Sequence, residues 1–473
     1  MTGKPSAPHG PTGQLATWAA ALELDNVPVP IRERAKHLLL DGIGCALIGA
    51  QLPWSRTAVE AVLDFEGTGS APIVGWGTST SAPAAALLNS TLIQGFELDD
   101  FHPLAPLHSN ALVIPALLAA ASNARDVDGA GLLVAAVAGF EVGPRVGLAL
   151  NGSEMLSRGW HSGPVFGTHA SAAAVGNLVG LDAAQMEDAL GLAATQSGGL
   201  MAAQFGAMSK RMQHGFAARN GLYAALLARR GYTGIKQVYE QPYGGFLSTF
   251  GEGHDPDASQ ITAELGERWE TERIVIKPYA AMGGIHAALD ALFDISAQRA
   301  LVADEIDHID VELSHAVFHH GWWKPERPLT PTAAQMHVGY ALAVGLLDGA
   351  ALIDQYAPSR IDANDVWALL PRIEAHHNEA FDAHGARGRG QTRLKIRFTD
   401  GTSLESSHFA AKSALAPLAN DEVVAKYRQL TAGVLDPDRQ ARIERLVLSL
   451  DDLPDLSGLV EGLAAPVASP FDP

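Results

Sequence analysis

Apolar residues recur at helical spacing along roughly the first 230 residues, in segments separated by short breaks of Gly, Pro, Asn and Asp. Small residues, as in the segment 170–176, allow close helix packing, and Asp182 is a typical N-cap for the helix that follows it. We therefore expect this part of the chain to be all-α. The pattern predicts helices over residues 31–48, 82–98, 111–123, 129–150, 168–179, 183–197 and 213–230.

The pattern changes near Trp269, where strand signals begin to alternate with helical ones. Residues 306–313 alternate apolar and polar side chains, as a half-buried strand does, and Asp400-Gly401 is a strong hairpin signal. The tail after residue 409 is again helical, over 420–431 and 436–449. Other predicted elements are strands at 272–277, 391–398 and 402–407, and helices at 285–297, 332–348 and 363–370.

These patterns predict a mainly α protein in which a smaller α/β domain is inserted into a large all-helical domain. The helical domain comprises residues 1–268 and 409–473, and the α/β domain comprises residues 269–408. A chain of 473 residues is long enough for two such domains.

The composition narrows the possible partners. The net charge of −19 disfavours binding to nucleic acid, because an acidic surface repels phosphates. The single cysteine, Cys45, excludes intrachain disulfides and sites with several thiolates. Residues 1–14 lack the apolar core of a signal peptide, and no uninterrupted apolar run reaches the ~20 residues that span a bilayer. We expect a cytoplasmic protein that binds neither nucleic acid nor a membrane.

The segment 97–108 carries the densest group of chemically active side chains. Three carboxylates and two imidazoles lie within twelve residues of an otherwise apolar region, where charged groups are rarely buried unless paired or functional. They are Glu97, Asp99, Asp100, His102 and His108. The segment favours a polar pocket for catalysis, while a cluster of helix caps and ion pairs, or a divalent metal site, are the alternatives.

Two further groups lie later in the predicted helical domain. His161 stands in a Gly-rich loop before an Ala-rich helix, where free backbone N–H groups can bind an anion. His169, within that helix, is more typical of a core residue. Lys210 and Arg211, followed by His214 and Arg219, indicate a clamp for carboxylates, because they lie among apolar residues of an acidic protein. A solvated charged face is the alternative.

The α/β domain supplies two more candidate groups. Lys277 ends a predicted strand and His286 opens a helix, so both side chains can point into one crevice. Trp322 belongs to a Pro/Gly loop with two adjacent tryptophans. This loop indicates a lid, a domain interface or a surface cap on the core.

The segments 35–50, 97–108, 159–167, 210–215, 276–286 and 327–340, in this order, resemble the MmgE/PrpD family over nearly the whole chain. This family includes 2-methylcitrate dehydratases, cis-aconitate decarboxylases and iminodisuccinate epimerases. The resemblance implies a large helical domain, a smaller α/β lid, a homodimer and a site between the domains. The family's site positions fall on Glu97, His108, His161, Lys210 and His286.

The family's members move protons beside a carboxylate of a small di- or tricarboxylate. The resemblance therefore implies a cofactor-independent lyase with no metal, either a dehydratase or a decarboxylase. We assign proton transfer to His161 as the first candidate and to His108 as the second. We expect His286 to reach the site from the lid. Lys210 is expected to stabilise enediolate-like charge, assisted by Arg211 or Lys277.

The remaining site residues are assigned to orientation and specificity. Glu97 and Asp100 are expected to orient the imidazoles. Phe101 replaces a small hydroxyl residue of decarboxylase-like members, and Trp322 stands where those members have a tyrosine. Both changes favour a less polar ligand than citrate-like acids. A dicarboxylate epimerase, a non-catalytic carboxylate-binding protein and a metallohydrolase are alternative functions.

Overall fold

A computed structural model of the protein describes residues 3–123 and 127–471. The chain divides into two compact units. The first comprises the chain up to Met201, the segment Ser209–Ile276 and the chain from Leu418 onward. The second comprises Lys277–Pro417 together with the short segment Ala202–Met208, which no sequence pattern indicated.

The first unit is built almost entirely from helices, as predicted. Helix Ser162–Leu178 is buried along nearly all its length because Gly, Ala and Ser let its neighbours approach, and it packs against Gly129–Ala149 and Ser209–Arg229. The helices of at least eight residues are Pro11–Ala21, Val29–Gly49, Pro53–Leu63, Ala82–Ile93, Ser109–Ala121, Gly129–Ala149, Ser162–Leu178, Ala183–Ala194, Ser209–Arg229, Asn420–Thr431, Pro437–Leu448 and Ser457–Ala464.

The C-terminal part of the first unit returns to its N-terminal part. Helix Asn420–Thr431 packs against helix Val29–Gly49. The ammonium group of Lys426 donates to the buried Asp41 carboxylate and to the Leu98 carbonyl, both at 2.6 Å. The acidic segment 97–108 is therefore attached to both ends of the unit.

Helix Gly129–Ala149 is long and apolar enough to cross a membrane by length and composition, although the sequence shows no uninterrupted apolar run of that length. Glu141 and Arg145 interrupt the run, and both side chains are buried. In the most apolar part of this helix, 94% of the residues are buried inside the protein. That burial is what the core helix of a folded domain shows.

The second unit contains a four-stranded sheet with helices packed against it. The strand order is Ile373–His377, Ile306–Leu313, Thr392–Phe398 and Ser403–His408. The first two strands run parallel and the other pairs antiparallel, and the last two form the hairpin predicted from Asp400-Gly401. The main helices are His286–Gln298, His315–Gly321, Pro331–Met336, Val338–Asp348 and Asn364–Leu369.

Several predicted elements differ from the structure. The helix predicted to begin at residue 168 begins at Ser162, because the Gly-rich segment before it is already helical. Only Val275–Ile276 of the strand predicted over 272–277 is extended, and it pairs with Asp100–Phe101. The helix predicted over 332–348 breaks at His337, whose ring Nδ1 accepts the Tyr340 N–H and so caps a new helix.

Candidate active site

The segment 97–108 begins with a reversal of the chain. Helix Ala82–Ile93 ends in a short 3-10 turn, and Glu97 then takes the left-handed conformation with φ of 55°. This conformation is uncommon for a residue other than glycine. It is strained and persists only where the surrounding structure holds the residue in it. It places the buried carboxylate of Glu97 against the ammonium group of Lys210.

The next two acidic residues have separate tasks. Asp99 accepts from the ring of His108, with 3.0 Å between Oδ2 and Nδ1, and also binds the side-chain amide of Gln94. Asp100 accepts the backbone N–H groups of Ser109 and Asn110 at 2.7 and 2.9 Å, and so caps helix Ser109–Ala121. The prediction that Asp100 orients an imidazole is wrong in these contacts, because its oxygens hold a helix end. Asp99 orients His108 instead.

His102 belongs to a different buried network. Its Nδ1 accepts the Ala105 N–H at 3.0 Å, so its Nε2 carries the proton and donates to Glu270 at 3.0 Å. Arg268 and Arg273 also bind Glu270, and the contact with His102 and these cations lowers the pKa of this carboxyl to about 2 despite its burial. His102 therefore acts as a structural residue that shapes the loop.

The second histidine of the site, His161, has a defined tautomer. Gln213 Oε1 accepts the Leu200 N–H at 2.9 Å and its amide nitrogen donates to the Leu200 carbonyl at 3.0 Å, so this oxygen can only accept. His161 Nδ1 lies 3.0 Å from the same oxygen and must carry the proton. The Nε2 atom of His161 therefore presents a lone pair.

His108 and His161 occupy equivalent places in the fold. Each directly precedes a helix that begins with serine, at Ser109 and Ser162, and the Ser162 hydroxyl donates to the Pro106 carbonyl at 2.9 Å. Helix N-termini favour anions through their unpaired N–H groups. The start of helix Ser162–Leu178 therefore brings partial positive charge to His161, whereas the Asp100 carboxylate already accepts the first N–H groups of helix Ser109–Ala121.

Helix Ser209–Arg229 carries the predicted clamp. Lys210 is buried in its first turn and pairs with Glu97. Arg211 instead donates to the Gln94 carbonyl at 2.8 Å and lies over the Trp54 ring, so it supports the helix end before Glu97. Burial lowers the pKa of Arg211 to about 10, which leaves it charged at neutral pH. Arg219 contacts Asn220 and Phe216 further along the helix.

A third histidine completes the cluster. The ring of His214 packs edge-to-face on His108 and on His161, with centroid distances of 4.9 and 4.8 Å. Sequence reasoning named His214 beside Lys210 without a role of its own, and it missed the positioning functions of Asp99 and Gln213. Helical spacing could have indicated Gln213 and His214, since residues three and four positions after Lys210 lie on the same face of the helix as Lys210.

The electrostatics of the cluster favour an anionic ligand. Burial, followed by the Lys210 cation, lowers the pKa of His161 to about 3. Burial and the neighbouring His161, His108 and Lys210 lower the pKa of His214 as well. Both rings are therefore neutral near pH 7, and a carboxylate brought beside them would meet one ammonium group and neutral imidazoles. Among the described residues, no group of three or more His, Cys, Asp and Glu side chains has the arrangement of a metal site.

The predicted site residues of the second unit have contacts of their own. Lys277 is buried where strand Val275–Ile276 ends. His286 is buried at the start of its helix, with Nε2 donating to the Ala281 carbonyl at 2.9 Å and its ring against Tyr279. Trp322 packs on the ring of His337. A role for these residues in catalysis or binding stays a prediction.

Comparisons with known proteins show similarity along nearly the whole chain. The MmgE/PrpD N-terminal domain matches residues 13–259, and the MmgE/PrpD C-terminal domain matches residues 279–452. The chain is 43% identical to the cis-aconitate decarboxylase-like protein oryM of Aspergillus oryzae, over 97% of this chain and 98% of that one. It is 42% identical to the cis-aconitate decarboxylase of Aspergillus terreus, over 98% of both chains, and 25% identical to that of Homo sapiens, over 96% and 95%.

Proposed function

Because the chain belongs to the MmgE/PrpD family, we propose that it is a cofactor-independent lyase that decarboxylates cis-aconitate. The observation that carries this proposal is the buried cluster in which Lys210 lies beside His161 and the His108–Asp99 pair. The identity of 42–43% to the two Aspergillus proteins over nearly the whole chain supports this substrate. It outweighs the hypothesis of a less polar ligand, which rested on Phe101 and Trp322 alone.

The reaction needs one proton and a partner for negative charge. cis-Aconitate carries a carboxymethyl group on its double bond. When the bond to that carboxylate breaks, its electron pair forms a new double bond, and the old double bond moves its pair to the carbon beside the vinylic carboxylate. A proton added at this carbon completes the product, so that one CO2 leaves and one proton is consumed. No external oxidant or reductant enters this balance.

The cluster offers a residue for each requirement. Lys210 binds the carboxylate beside which charge develops, and a cation at this place stabilises the enediolate-like transition state. His161 lies close enough to Lys210 for the ammonium group to lower its pKa, so it is placed to donate a proton to the neighbouring carbon. The three carboxylates of the substrate act in the opposite direction on His161, because nearby negative charge favours an imidazolium. Binding of the substrate therefore strengthens the hold of His161 on the proton that it donates.

An assay in D2O tests the proposal. Purified protein and cis-aconitate, followed by proton NMR, should yield CO2 and one product with a new terminal methylene group, in equal amounts. The product should carry one deuteron from the solvent at the protonated carbon. New olefinic signals from 2-methylcitrate without CO2 would instead indicate a dehydratase, and deuterium exchange into iminodisuccinate without a new compound would indicate an epimerase. Either result, with cis-aconitate unchanged, would overturn the proposal.

The homodimer, the lid function of the second unit and the cytoplasmic location also belong to this proposal. The homodimer and the lid function are supported by family membership alone. Light scattering on the purified protein, at concentrations used for the assay, would determine the number of chains in the active species. A species with the mass of one chain and full activity would contradict the dimer.

A further inference from the structure

His214 is the least explained side chain of the cluster. Its residue exposure is 0%, and its ring stands nearly perpendicular to its two neighbours, at 83° to His108 and 84° to His161. The position is built to accept this ring. A side chain on Gly163, in the first turn of helix Ser162–Leu178, would begin 2.5 Å from His214 Nε2. Only glycine leaves room for the imidazole there.

Within residues 3–123 and 127–471, neither ring nitrogen of His214 has a hydrogen-bond partner. A buried polar group without a partner destabilises the folded state, so an apolar ring such as phenylalanine would fit this place more stably. A histidine that only filled space would therefore be the worse choice. The two nitrogens need a function that compensates for this cost.

The ring spacing allows proton exchange with both neighbours. An N–H···N hydrogen bond of ~2.9 Å between two imidazoles places their centroids about 5 Å apart. The centroid of the His214 ring lies 4.9 Å from that of His108 and 4.8 Å from that of His161, so both distances match this spacing. Asp99 and Gln213 hold the Nδ1 atoms of the two outer rings, which leaves both Nε2 atoms for this exchange.

We infer that His214 is a positioning residue that passes a proton from His108 to His161. The inference rests on the proposed decarboxylation. The side chain of His108 is 16% exposed and can take a proton from water, while Asp99 compensates its positive charge. His214 accepts this proton on one nitrogen and releases the proton of its other nitrogen to His161, so it stays neutral overall. His161 then protonates the substrate carbon, and the ring of His214 turns back.

The charged and titratable groups around His214 suit this transfer. They are His161, His108, Lys210 and Glu97. Lys210 disfavours a positive charge on His214 more strongly than its partner Glu97 favours one. A positive charge on His214 would be repelled by the Lys210 ammonium group. This repulsion favours a transfer in which His214 accepts one proton and releases another at the same time.

The variant His214→Phe tests the inference, because it keeps the ring and removes both nitrogens. We expect unchanged or higher thermal stability, a loss in kcat of about 10- to 100-fold with a similar KM, and a larger solvent deuterium isotope effect on kcat. The loss should grow with pH, as protons for the slower direct route become scarce. A His214→Phe enzyme with the kcat and pH profile of the parent protein would overturn the inference.

His169→Phe is the matched control. His169 is also fully buried, and one of its ring nitrogens has no partner in the part of the chain that the structure describes. Its other nitrogen lies 2.9 Å from the Tyr239 hydroxyl. This variant should lose stability, because the Tyr239 contact disappears, and should keep the pH profile of kcat. A second test uses His214→Ala with added imidazole, which should restore part of kcat in that variant and leave His169→Ala unaffected. Absence of rescue would count against proton transfer.

A measurement without substrate separates this inference from the proposed function. In 15N-labelled protein without substrate, the ring N–H proton of His161 should exchange with D2O faster in the parent protein than in His214→Phe, since His214 carries protons to this ring. Exchange that slows in His214→Phe, in a protein that leaves cis-aconitate unchanged, would refute only the substrate. Equal exchange rates in the two proteins would refute the transfer, whatever the enzyme does.

Discussion

Replacing His161 by Gln is expected to lower kcat for cis-aconitate by about 10²- to 10⁴-fold, the usual contribution of a positioned acid. The glutamine amide can still donate to Gln213 Oε1, so the local hydrogen bond is kept while the proton for the substrate carbon is lost. KM should change little, because Lys210 remains. Steady-state CO2 release, together with a thermal melt of the variant, measures both effects.

The same measurement on His169→Phe shows whether the loss belongs to the site. His169 and His161 share burial and a pKa lowered to about 3, yet His169 packs against Tyr239 and Phe246 in the core. If His161→Gln retained the parent kcat, the assignment of the acid would be wrong, and His108 with its Asp99 partner would take its place.

Replacing Lys210 by Met is expected to lower kcat/KM by about 10³-fold, because it removes the cation that meets the developing charge. The same change leaves Glu97 as a buried carboxylate without its ammonium partner. Breaking a buried pair in this way costs about 3–5 kcal/mol of folding free energy. Activity and stability should therefore fall together, as seen in kinetics and in denaturant unfolding.

The double variant Lys210→Met, Glu97→Gln separates the two effects. Removing both charges relieves the unpaired carboxylate, and replacement of a buried pair by neutral groups is often close to neutral for stability. We expect the free energy of unfolding to recover most of its loss while kcat/KM stays low. Recovery of activity along with stability would show that Lys210 serves only to hold Glu97 in place.

The sequence indicated the members of the buried cluster better than the residues that support them. His108, His161 and Lys210 stand in polar or Gly-rich segments amid apolar surroundings, and this contrast is visible along the chain. Asp99 and Asp100 look alike in the sequence, and only the pairing of Asp100–Phe101 with Val275–Ile276 shows that one faces a histidine and the other a helix end. Such assignments depend on tertiary contacts that local patterns do not contain.

For the fold as well, local patterns predicted some elements and missed others. The helices of the first unit follow from apolar spacing and small residues, and the structure confirms the mainly helical character. Strand Ile373–His377 was missed because five residues with two histidines carry too little alternation. The break at His337 was missed because an imidazole replaces the usual serine, threonine or aspartate as the cap. Side chains acting outside their common roles are what the patterns overlook.

The bond from Lys426 to the Leu98 carbonyl has a consequence for how the protein is made. A ribosome adds about 5–20 residues per second, so roughly 16–66 s pass between the synthesis of Leu98 and that of Lys426. Throughout this interval Asp41 and the acidic segment 97–108 lack the cation that joins them. The site can therefore assume its final form only after most of the chain has been translated. In a nascent chain that is arrested earlier, these carboxylates would remain exposed to water.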